Sequence, residues 1–573
     1  MKVSQVIARR LRDAGVAVVF GVMGDGNMHW LAEYAALPGV RWCPAWHEAG
    51  AVGMADGYAR AASRESIGVA TVTMGPGLAQ ALAALTAAVR TRSPVLVITA
   101  EPDHVSPPNA QDVDQRSWAA TAGARYRLVT EPADLSAALA ETMACARSGR
   151  PAVLAVAVSL MESEHDGEHD GEHDGEAPPA TTPAGTHITG LDTAARLLAA
   201  SRRPLVLLGR GAELSGAVEA AVEVGRGIGA CFLTTVPAKG CLAAAQDPFD
   251  LGLAGTMAHP PARRLASTAD VVLIVGAALD AHNTAGGSFF GDARLIRVDI
   301  RPPAQLWHPE GEVIEITADA ATSITRLAAA LPPRRESGRE PGLRGPEAAA
   351  LLAGEPARRA ALAATQPADG LNPWAVIAAI DDAVSDSAHI VTGVGHFWYF
   401  AAPYLSARPG RTFHFGYGFG LIGQGLPLAI GAAVAATEAN RQTVAIEGDG
   451  SFLMNPQELQ SAVRFGADLL VIVLNNAAYG SEFHKLGIAG LDPAAGAFDR
   501  PADLVAVARA LGADARRVAA MDELHAGLAA FAASGGVRVL DIGIARSVMS
   551  EAYQRMHLPP PPEETRLVQG AKQ

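Results

Sequence analysis

Cysteine is scarce in this chain. The four cysteines, Cys43, Cys145, Cys231 and Cys241, are far apart and form no Cys-x-x-Cys pair. A disulfide framework or a structural zinc site needs closely spaced cysteines, so the sequence excludes both. Scattered thiols without partners are typical of reducing compartments, and we expect a cytoplasmic protein.

Basic residues are also fewer than acidic residues. Lys and Arg total 46 against 59 Asp and Glu, which gives a net charge of −13. Nucleic-acid and anionic-membrane surfaces require basic patches, so neither partner is expected. No uncharged apolar stretch reaches the roughly 18 residues of a membrane span. Arg9, Arg10 and Arg12 stand where a signal peptide needs its apolar core.

Length and low-complexity stretches predict several domains. A chain of 573 residues is long enough for three or four domains of ordinary size. Two stretches divide it: an acidic Glu-His-Asp-Gly repeat that runs into Pro and Thr residues, and a later stretch rich in Pro, Arg, Glu and Gly. We predict domains at residues 1–163, 187–331 and 366–545, linkers at 164–186 and 332–365, and a tail at 546–573.

Two polar clusters that follow strand-like runs are the most informative feature. Gly448-Asp449-Gly450 follows a short β-rich segment, and 24 residues later Asn475-Asn476 ends an apolar run at residues 467–474. Carboxyl ends of parallel strands share the sheet edge where ligands bind, so we expect the clusters to meet there. Residues 455–466 are predicted to form the helix between them, capped by Asn455.

These clusters offer the oxygen ligands that Mg²⁺ prefers. Asp449 supplies a carboxylate, Asn476 a side-chain amide, and the backbone of Ala478 a third oxygen, which leaves positions for phosphate and water. Gly448 and Gly450 allow the backbone to approach an anion closely. The alternative interpretation is an ordinary tight turn, which the spacing to a paired asparagine disfavours.

With these motifs the chain resembles the thiamine-diphosphate-dependent enzymes of the acetolactate synthase, benzaldehyde lyase and pyruvate decarboxylase group. The resemblance covers roughly residues 1–545. It implies an α/β fold of three domains, in which two related thiamine-diphosphate-binding domains with parallel sheets flank a central Rossmann-like domain. It also implies thiamine diphosphate and Mg²⁺ as cofactors, a homodimer as the minimum active unit, and a homotetramer as the expected assembly.

Glu48 is the main candidate for a catalytic residue. It ends a strand-like stretch and opens an Ala/Gly-rich helix at residues 49–62. It resembles the family's activating glutamate, with Trp46 in place of an arginine. The resemblance implies that its carboxylate binds N1′ of the cofactor's aminopyrimidine and favours the imino tautomer that deprotonates the thiazolium carbon. The alternative is a helix-start glutamate favoured only by the helix dipole.

Further segments resemble the family's cofactor-binding loops. Thr73–Gly77 resembles the glycine turn of the pyrimidine domain, and Thr392–His396 resembles a diphosphate-side loop in which His396 is alternatively a packing residue. Gly416–Pro427 resembles the segment that threads between the cofactor rings, with the Gly420 carbonyl on the 4′-amino group and Ile422 as the apolar wedge. The predicted cofactor-binding set is Gly75, Gly395, His396, Gly420, Ile422, Gly448, Asp449, Gly450, Ser451 and Asn476.

The central unit resembles the family domain that binds FAD in some members. A strand at residues 204–208 precedes Gly209–Gly211, and another at residues 270–275 precedes Gly276. Ala277–Asn283 replaces the arginine-bearing stretch that those members use for FAD. FAD is therefore not expected.

The residues expected around the reacting carbon are mixed. Asp25 and Glu482 resemble proton-handling residues of pyruvate decarboxylases, whose adjacent histidine pair is missing. Gln115 instead resembles the active-site glutamine of benzaldehyde lyase and acetolactate synthases. We predict a carboligase that forms or cleaves C–C bonds next to a carbonyl in 2-oxo acids or acyloins. The alternative is a 2-oxo acid decarboxylase that releases an aldehyde.

The scarcity of lysine singles out one more position. Only four lysines are present, and Lys485 follows His484 just after the metal motif. We hypothesise that one of these two side chains meets a substrate carboxylate or phosphate. The alternative is a helix-start cluster that is paired internally. A catalytically silent regulatory paralogue is disfavoured because Glu48 and the metal ligands are all retained.

Overall fold

Three parallel sheets of six strands, each covered by helices, organise the chain. The computed structural model describes residues 1–102, 110–165, 188–302, 307, 312–331, 342–438 and 441–558. Most strands are apolar and buried along their length, as expected when helices cover both faces of a parallel sheet. The predicted three-domain α/β fold is confirmed.

The first domain has the strand order β2-β1-β3-β4-β6-β5. Its strands are β1 (Val18–Gly21), β2 (Arg41–Pro44), β3 (Gly68–Thr71), β4 (Val95–Glu101), β5 (Arg125–Val129) and β6 (Ala152–Ala157). Its helices are α1 (Val3–Asp13), α2 (Met28–Ala35), α3 (Glu48–Ala61), α4 (Pro76–Arg90), α5 (Gln115–Ala122) and α6 (Leu135–Arg147).

The central domain has the strand order of a Rossmann fold. Its strands are β7 (Pro204–Leu208), β8 (Cys231–Thr234), β9 (Asp250–Leu253), β10 (Val271–Val275), β11 (Arg294–Asp299) and β12 (Val313–Thr317). They lie in the order β9-β8-β7-β10-β11-β12, which is the 3-2-1-4-5-6 arrangement of dinucleotide-binding sheets. Its helices are α7 (Leu191–Ala200), α8 (Arg210–Ser215), α9 (Val218–Ile228), α10 (Pro260–Ala266) and α11 (Ala320–Ala330), and α12 (Pro346–Ala364) follows.

The third domain repeats the topology of the first. Its strands are β13 (His389–Thr392), β14 (Thr412–Phe415), β15 (Thr443–Gly448), β16 (Leu469–Asn475), β17 (Asp514–Val518) and β18 (Val537–Gly543). Its helices are α13 (Pro373–Ala383), α14 (Trp398–Tyr404), α15 (Gly425–Glu438), α16 (Asp449–Phe452), α17 (Glu458–Phe465), α18 (Gly480–Ile488), α19 (Leu504–Ala510), α20 (Met521–Ser534) and α21 (Glu551–His557). The order β14-β13-β15-β16-β18-β17 matches that of the first sheet strand for strand, so the two outer domains are related as predicted.

Four local predictions differ in part from the structure or fall outside it. The predicted linker at 332–365 contains the helix α12, and the predicted tail at 546–573 contains α21. The helix predicted over 455–466 is wrong at its start, because α17 begins at Glu458. Most of the predicted acidic linker at 164–186 lies outside the described residues. Within the described ranges, no helix combines the length and apolarity needed to cross a bilayer.

The first and third domains meet through two equivalent helices. α3 follows the second strand of the first sheet, and α15 follows the second strand of the third. A Cβ atom added at Gly57 would overlap the carbonyl oxygen of Leu428, and one added at Gly431 would overlap that of Met54. Only glycine permits this backbone-to-backbone approach, so these two positions set the distance between the helices.

We predict that Gly57→Ala and Gly431→Ala each destabilise the protein, because a methyl group would force α3 and α15 apart. The expected loss is about 1–3 kcal/mol, as for overpacking elsewhere in protein cores. Gly227→Ala in α9 is the matched control, since nothing lies within 4 Å of its Cβ position. Denaturant unfolding compares the three variants, and equal midpoints would contradict the close contact.

Candidate active site

Four loops of the third domain gather at one edge of its sheet. They follow β13, β14, β15 and β16, which run parallel as neighbours, so their carboxyl ends lie side by side. These loops hold every residue predicted to bind the metal and the diphosphate. The predicted position of both polar clusters, at the carboxyl ends of strands, is confirmed.

Asp449 starts α16 with its carboxylate buried. Only 4% of the residue is exposed, and the N–H groups of Gly450 and Ala478 hydrogen-bond to it. Its Oδ2 is buried without a hydrogen-bond partner among the described residues. Burial raises the pKa of Asp449 to about 6. A buried carboxylate oxygen without a partner is unfavourable, and a cation placed against it would remove that cost.

The paired asparagines do different things. Asn475 Nδ2 donates to Asp541 at 2.8 Å, and its Oδ1 accepts from the N–H of Ala477 at 3.0 Å. Ala477 has a φ of 52°, which is uncommon for a residue with a Cβ atom. Asn475 therefore shapes a strained turn, and the half-buried Asn476 and the backbone of Ala478 belong to that turn.

The loop after β14 is tied to the residues that follow Asp449. Ser451 Oγ accepts from the N–H of Gly423 at 2.9 Å, and Asn455 Nδ2 donates to the Gly423 carbonyl at 2.7 Å. Asn455 therefore holds this loop instead of capping α17, which corrects the sequence prediction. The two bonds fix the segment that carries the exposed Gly420 and the half-buried Ile422.

Aromatic rings enclose His396. The ring centroids of His484, Tyr553 and Phe400 lie 4.5, 4.9 and 5.2 Å from that of His396. Burial lowers the pKa of His396 to about 3, so the ring is neutral. In the described part of the chain, the Nε2 atoms of His396 and His484 are both buried without partners. Tyr553 belongs to α21, so the predicted tail helps to enclose this edge.

The side chain of Lys485 forms an ion pair with Glu482, not with His484. Lys485 Nζ lies 3.3 Å from Glu482 Oε1, and both side chains are at least half exposed. His484, on the same helix, is only 7% exposed. This arrangement is the one expected of the internally paired alternative for Lys485, whereas His484 faces the buried ring cluster.

In the first domain, Asp25 lies in the loop that follows β1. Asp25 itself is exposed, whereas Asn27 is fully buried. The Asn27 side chain accepts from the N–H of Gly24 at 2.8 Å and donates to the carbonyl of Val22 at 3.0 Å. Asn27 thus fixes the loop, and the exposed Asp25 lies on it.

Gln115 is turned into the first domain. Its Oε1 accepts from the N–H of Gly75 at 3.0 Å, and its Nε2 donates to the carbonyl of Ala100 at 2.8 Å and to Glu101 Oε2 at 2.6 Å. The side chain is fully buried. Gln115 therefore shapes the glycine turn, where Gly75 has a φ of 62°, and its amide is already occupied.

Glu48 lies on the side of α3 away from α15. It precedes Gly57 by nine residues, which at about 3.6 residues per turn is about two and a half turns, so the two positions face opposite ways. The His47 ring accepts from the N–H of Ala49 at 3.1 Å and caps the helix. The Glu48 position is therefore on the side of α3 opposite the α15 contact, and the residue is only 9% exposed.

Sequence reasoning missed Glu458. Its carboxylate accepts from the N–H groups of Trp46 at 3.1 Å and His47 at 3.0 Å, and from the Ser461 hydroxyl at 2.8 Å. It is fully buried, and a Cβ atom at Gly50 would overlap it. Glu458 thus fixes, from the third domain, the turn just before α3. The partners are more than 400 residues apart, and no local pattern connects them.

Three models of protein families match the chain. Residues 1–118 match the N-terminal TPP binding domain of thiamine pyrophosphate enzymes, residues 191–327 match their central domain, and residues 393–542 match their C-terminal TPP binding domain. The chain belongs to the thiamine pyrophosphate enzyme family. It is a thiamine-diphosphate-dependent enzyme of the carboligase and decarboxylase group, as predicted.

This thiamine pyrophosphate enzyme is similar to curated proteins over most of its length. It is 29% identical to a probable 2-ketoarginine decarboxylase, AruI, of Pseudomonas aeruginosa, over 94% of this chain and 93% of that protein. It is 26% identical to a probable acetolactate synthase large subunit of Methanocaldococcus jannaschii, over 99% and 95%. It is also 26% identical to the acetolactate synthase large subunit of Corynebacterium glutamicum, over 83% and 75%.

We predict that Glu458→Ala lowers kcat/KM of this thiamine pyrophosphate enzyme about tenfold or more, because the N–H groups of Trp46 and His47 lose a charged acceptor, at a cost of about 1.5–3 kcal/mol. Hydrogen exchange at Trp46 and His47 should quicken in parallel. Gln460→Ala is the control, since it removes only the exposed bond from Trp46 Nε1 at 2.9 Å. A Glu458→Ala protein that matches this control in both measurements would contradict the positioning role.

Proposed function

We propose that this chain is a thiamine-diphosphate- and Mg²⁺-dependent carboligase that forms or cleaves C–C bonds next to a carbonyl in 2-oxo acids or acyloins. The observation that carries the proposal is the buried Oδ2 of Asp449, which lacks a partner among the described residues at a ligand-binding sheet edge. The similarity to acetolactate synthases supports carboligation.

Asp449, the side-chain amide of Asn476 and the backbone carbonyl of Ala478 would hold the metal. The N–H of Ala478 reaches the Asp449 carboxylate, so the turn and the carboxylate are adjacent. One carboxylate, one amide and one carbonyl leave positions for diphosphate oxygens and water, which is how Mg²⁺ is commonly bound. Gly395 and Gly448 pack against the ring of Phe397. Because neither residue has a side chain, the backbone at both positions would approach the diphosphate closely.

Glu48 would bind the opposite end of the cofactor, across a subunit interface. Its position on α3 is opposite the face that packs against α15 of the same chain. The third domain that completes each site would therefore come from a second chain. We propose a homodimer as the minimum active unit and a homotetramer as the assembly.

The residues of the chain would orient the cofactor and move protons. When bound, thiamine diphosphate supplies the nucleophilic carbon and the electron sink. Glu48 would hold a proton at the pyrimidine nitrogen, the Gly420 carbonyl would orient the 4′-amino group, and Ile422 would separate the rings. Neutral His396 would hydrogen-bond at the diphosphate side. His484 or Lys485 would contact a substrate anion.

A 2-oxo acid decarboxylase that releases an aldehyde is the second candidate. Asp25 and Glu482 are both exposed, and either would serve as a proton donor to the product. Gln115, which favoured carboligation, contributes by shaping the Gly75 turn, because its amide is bound inside the first domain. The similarity to a protein named as a decarboxylase fits this alternative.

We also propose that FAD is not required and that the protein is cytoplasmic. Ala277–Asn283, which replaces the arginine-bearing stretch, folds on itself through a bond from Asn283 Nδ2 to the Ala278 carbonyl at 3.0 Å. The four cysteines are free, which fits a reducing compartment.

The test is a product analysis. Enzyme supplied with thiamine diphosphate, Mg²⁺ and pyruvate, with and without an aldehyde acceptor, is expected to yield acyloin or acetohydroxy acid products that depend on the acceptor. Glu48→Gln is the control and should fold normally while turnover falls by roughly 10²–10⁴, as for a lost acid–base group. Free aldehyde as the main product in both conditions would favour the decarboxylase, and full activity of Glu48→Gln would refute the role of Glu48.

A further inference from the structure

A cavity of about 540 Å³ lies between the central and third domains. Its walls are β9, the start of α10, the middle of α12, one face of α13 and the end of α14. α14 begins beside His396 and reaches the cavity only at its other end, so the cavity is separate from the candidate active site. Its volume is in the range of small-molecule sites, roughly 300–1,000 Å³, which are often found between domains.

Three ionic side chains of the cavity wall, Glu355, Arg359 and Asp381, have close partners of opposite charge. Arg359 Nε lies 3.2 Å from Glu355 Oε1, and Arg411 Nη1 lies 2.6 Å from Asp381 Oδ1. These side chains already have ion-pair partners within the protein and do not need a ligand.

Lys239 and Asp250 face the same cavity without such partners. Among the described residues, the Lys239 ammonium has no ion pair or hydrogen bond, and it lies 5.1 Å from the centroid of the Phe413 ring. Asp250 Oδ1 accepts only from the N–H of Gly252, at 2.9 Å. Burial lowers the pKa of Lys239 to about 8 and raises that of Asp250. The two charges act on each other but do not pair.

An ammonium and a carboxylate that line one cavity without close ionic partners among the described residues are both available to a ligand. A molecule with both charges would satisfy both groups, with its carboxylate on Lys239 and its ammonium on Asp250. Much of the remaining wall is apolar, including Leu253, Leu352, Trp374 and Leu405. The ligand that fits these surroundings is small, zwitterionic and apolar at its far end.

We propose that this cavity is a binding site for an α-amino acid with an apolar side chain, held through Lys239 and Asp250. The ligand would connect β9 and α10 of the central domain to α13 and α14 of the third domain. Binding should therefore stabilise the folded protein, since a ligand that binds only the folded state raises the unfolding temperature.

The test uses L-leucine as the probe with the full-length protein, followed by calorimetry and thermal unfolding. L-leucine should bind saturably and raise Tm. 4-Methylpentanoate lacks the ammonium group and 3-methylbutylamine lacks the carboxylate, so each should bind about tenfold more weakly or worse, as expected for loss of a charged hydrogen bond. Equal binding by either analogue, or no saturable binding of L-leucine, would overturn the proposal.

Substitutions in the cavity wall test whether L-leucine binds in this cavity. Lys239→Met and Asp250→Asn should each weaken L-leucine binding about tenfold or more, while Lys2→Met, a surface lysine next to Glu162, should leave it unchanged. Leu352→Trp fills the cavity without removing a charge and should also abolish binding, which keeps the test decisive if a charge variant folds poorly. Undiminished binding by Lys239→Met or Leu352→Trp would place the amino acid elsewhere and refute the assignment.

Discussion

The backbone contact between α3 and α15 is the constraint on which the rest of the arrangement depends. Gly57 and Gly431 let the two helices touch at carbonyl oxygens, so the first and third domains have one relative position. Glu458 adds a second attachment at the start of α3. Together these contacts hold Glu48, at the start of α3, at a fixed place relative to the third domain. The residue is only 9% exposed and lies on the side of α3 opposite α15, where we propose that a second chain completes the site.

The polar residues around the site fall into two groups. Some use their side chains to hold the loops in place, and others keep side-chain atoms that a ligand would contact. Asn27, Gln115 and Asn475 use their amides to hold loops, as the Ser451 hydroxyl does. Asp25, Asn476 and one oxygen of Asp449 are not used in this way among the described residues. A sequence motif alone therefore does not distinguish the polar residues that hold the loops from those that would contact the ligand.

The sequence predicts best the elements that depend on residues close together in the chain. The strand at residues 204–208 and the helix beginning near Glu48 were placed within a residue, because apolar runs and helix starts are local signals. Asn455 was misread as a cap because its partner, Gly423, is distant in the chain. The inward turn of Gln115 and the role of Glu458 likewise depend on distant contacts. The sequence does not predict α12 because Pro346 and Pro356 are typical of a linker, although Pro346 is well suited to a first helical turn.

The central claim is that Glu48 of one chain and Asp449 of another act on the same cofactor molecule. Co-expression of Glu48→Gln and Asp449→Asn tests it directly, because each variant alone is inactive and only a mixed dimer has one site with both wild-type residues. Random pairing of equal amounts gives half mixed dimers with one intact site of two, so the account predicts about a quarter of wild-type activity. Activity no higher than that of the separate variants would contradict it.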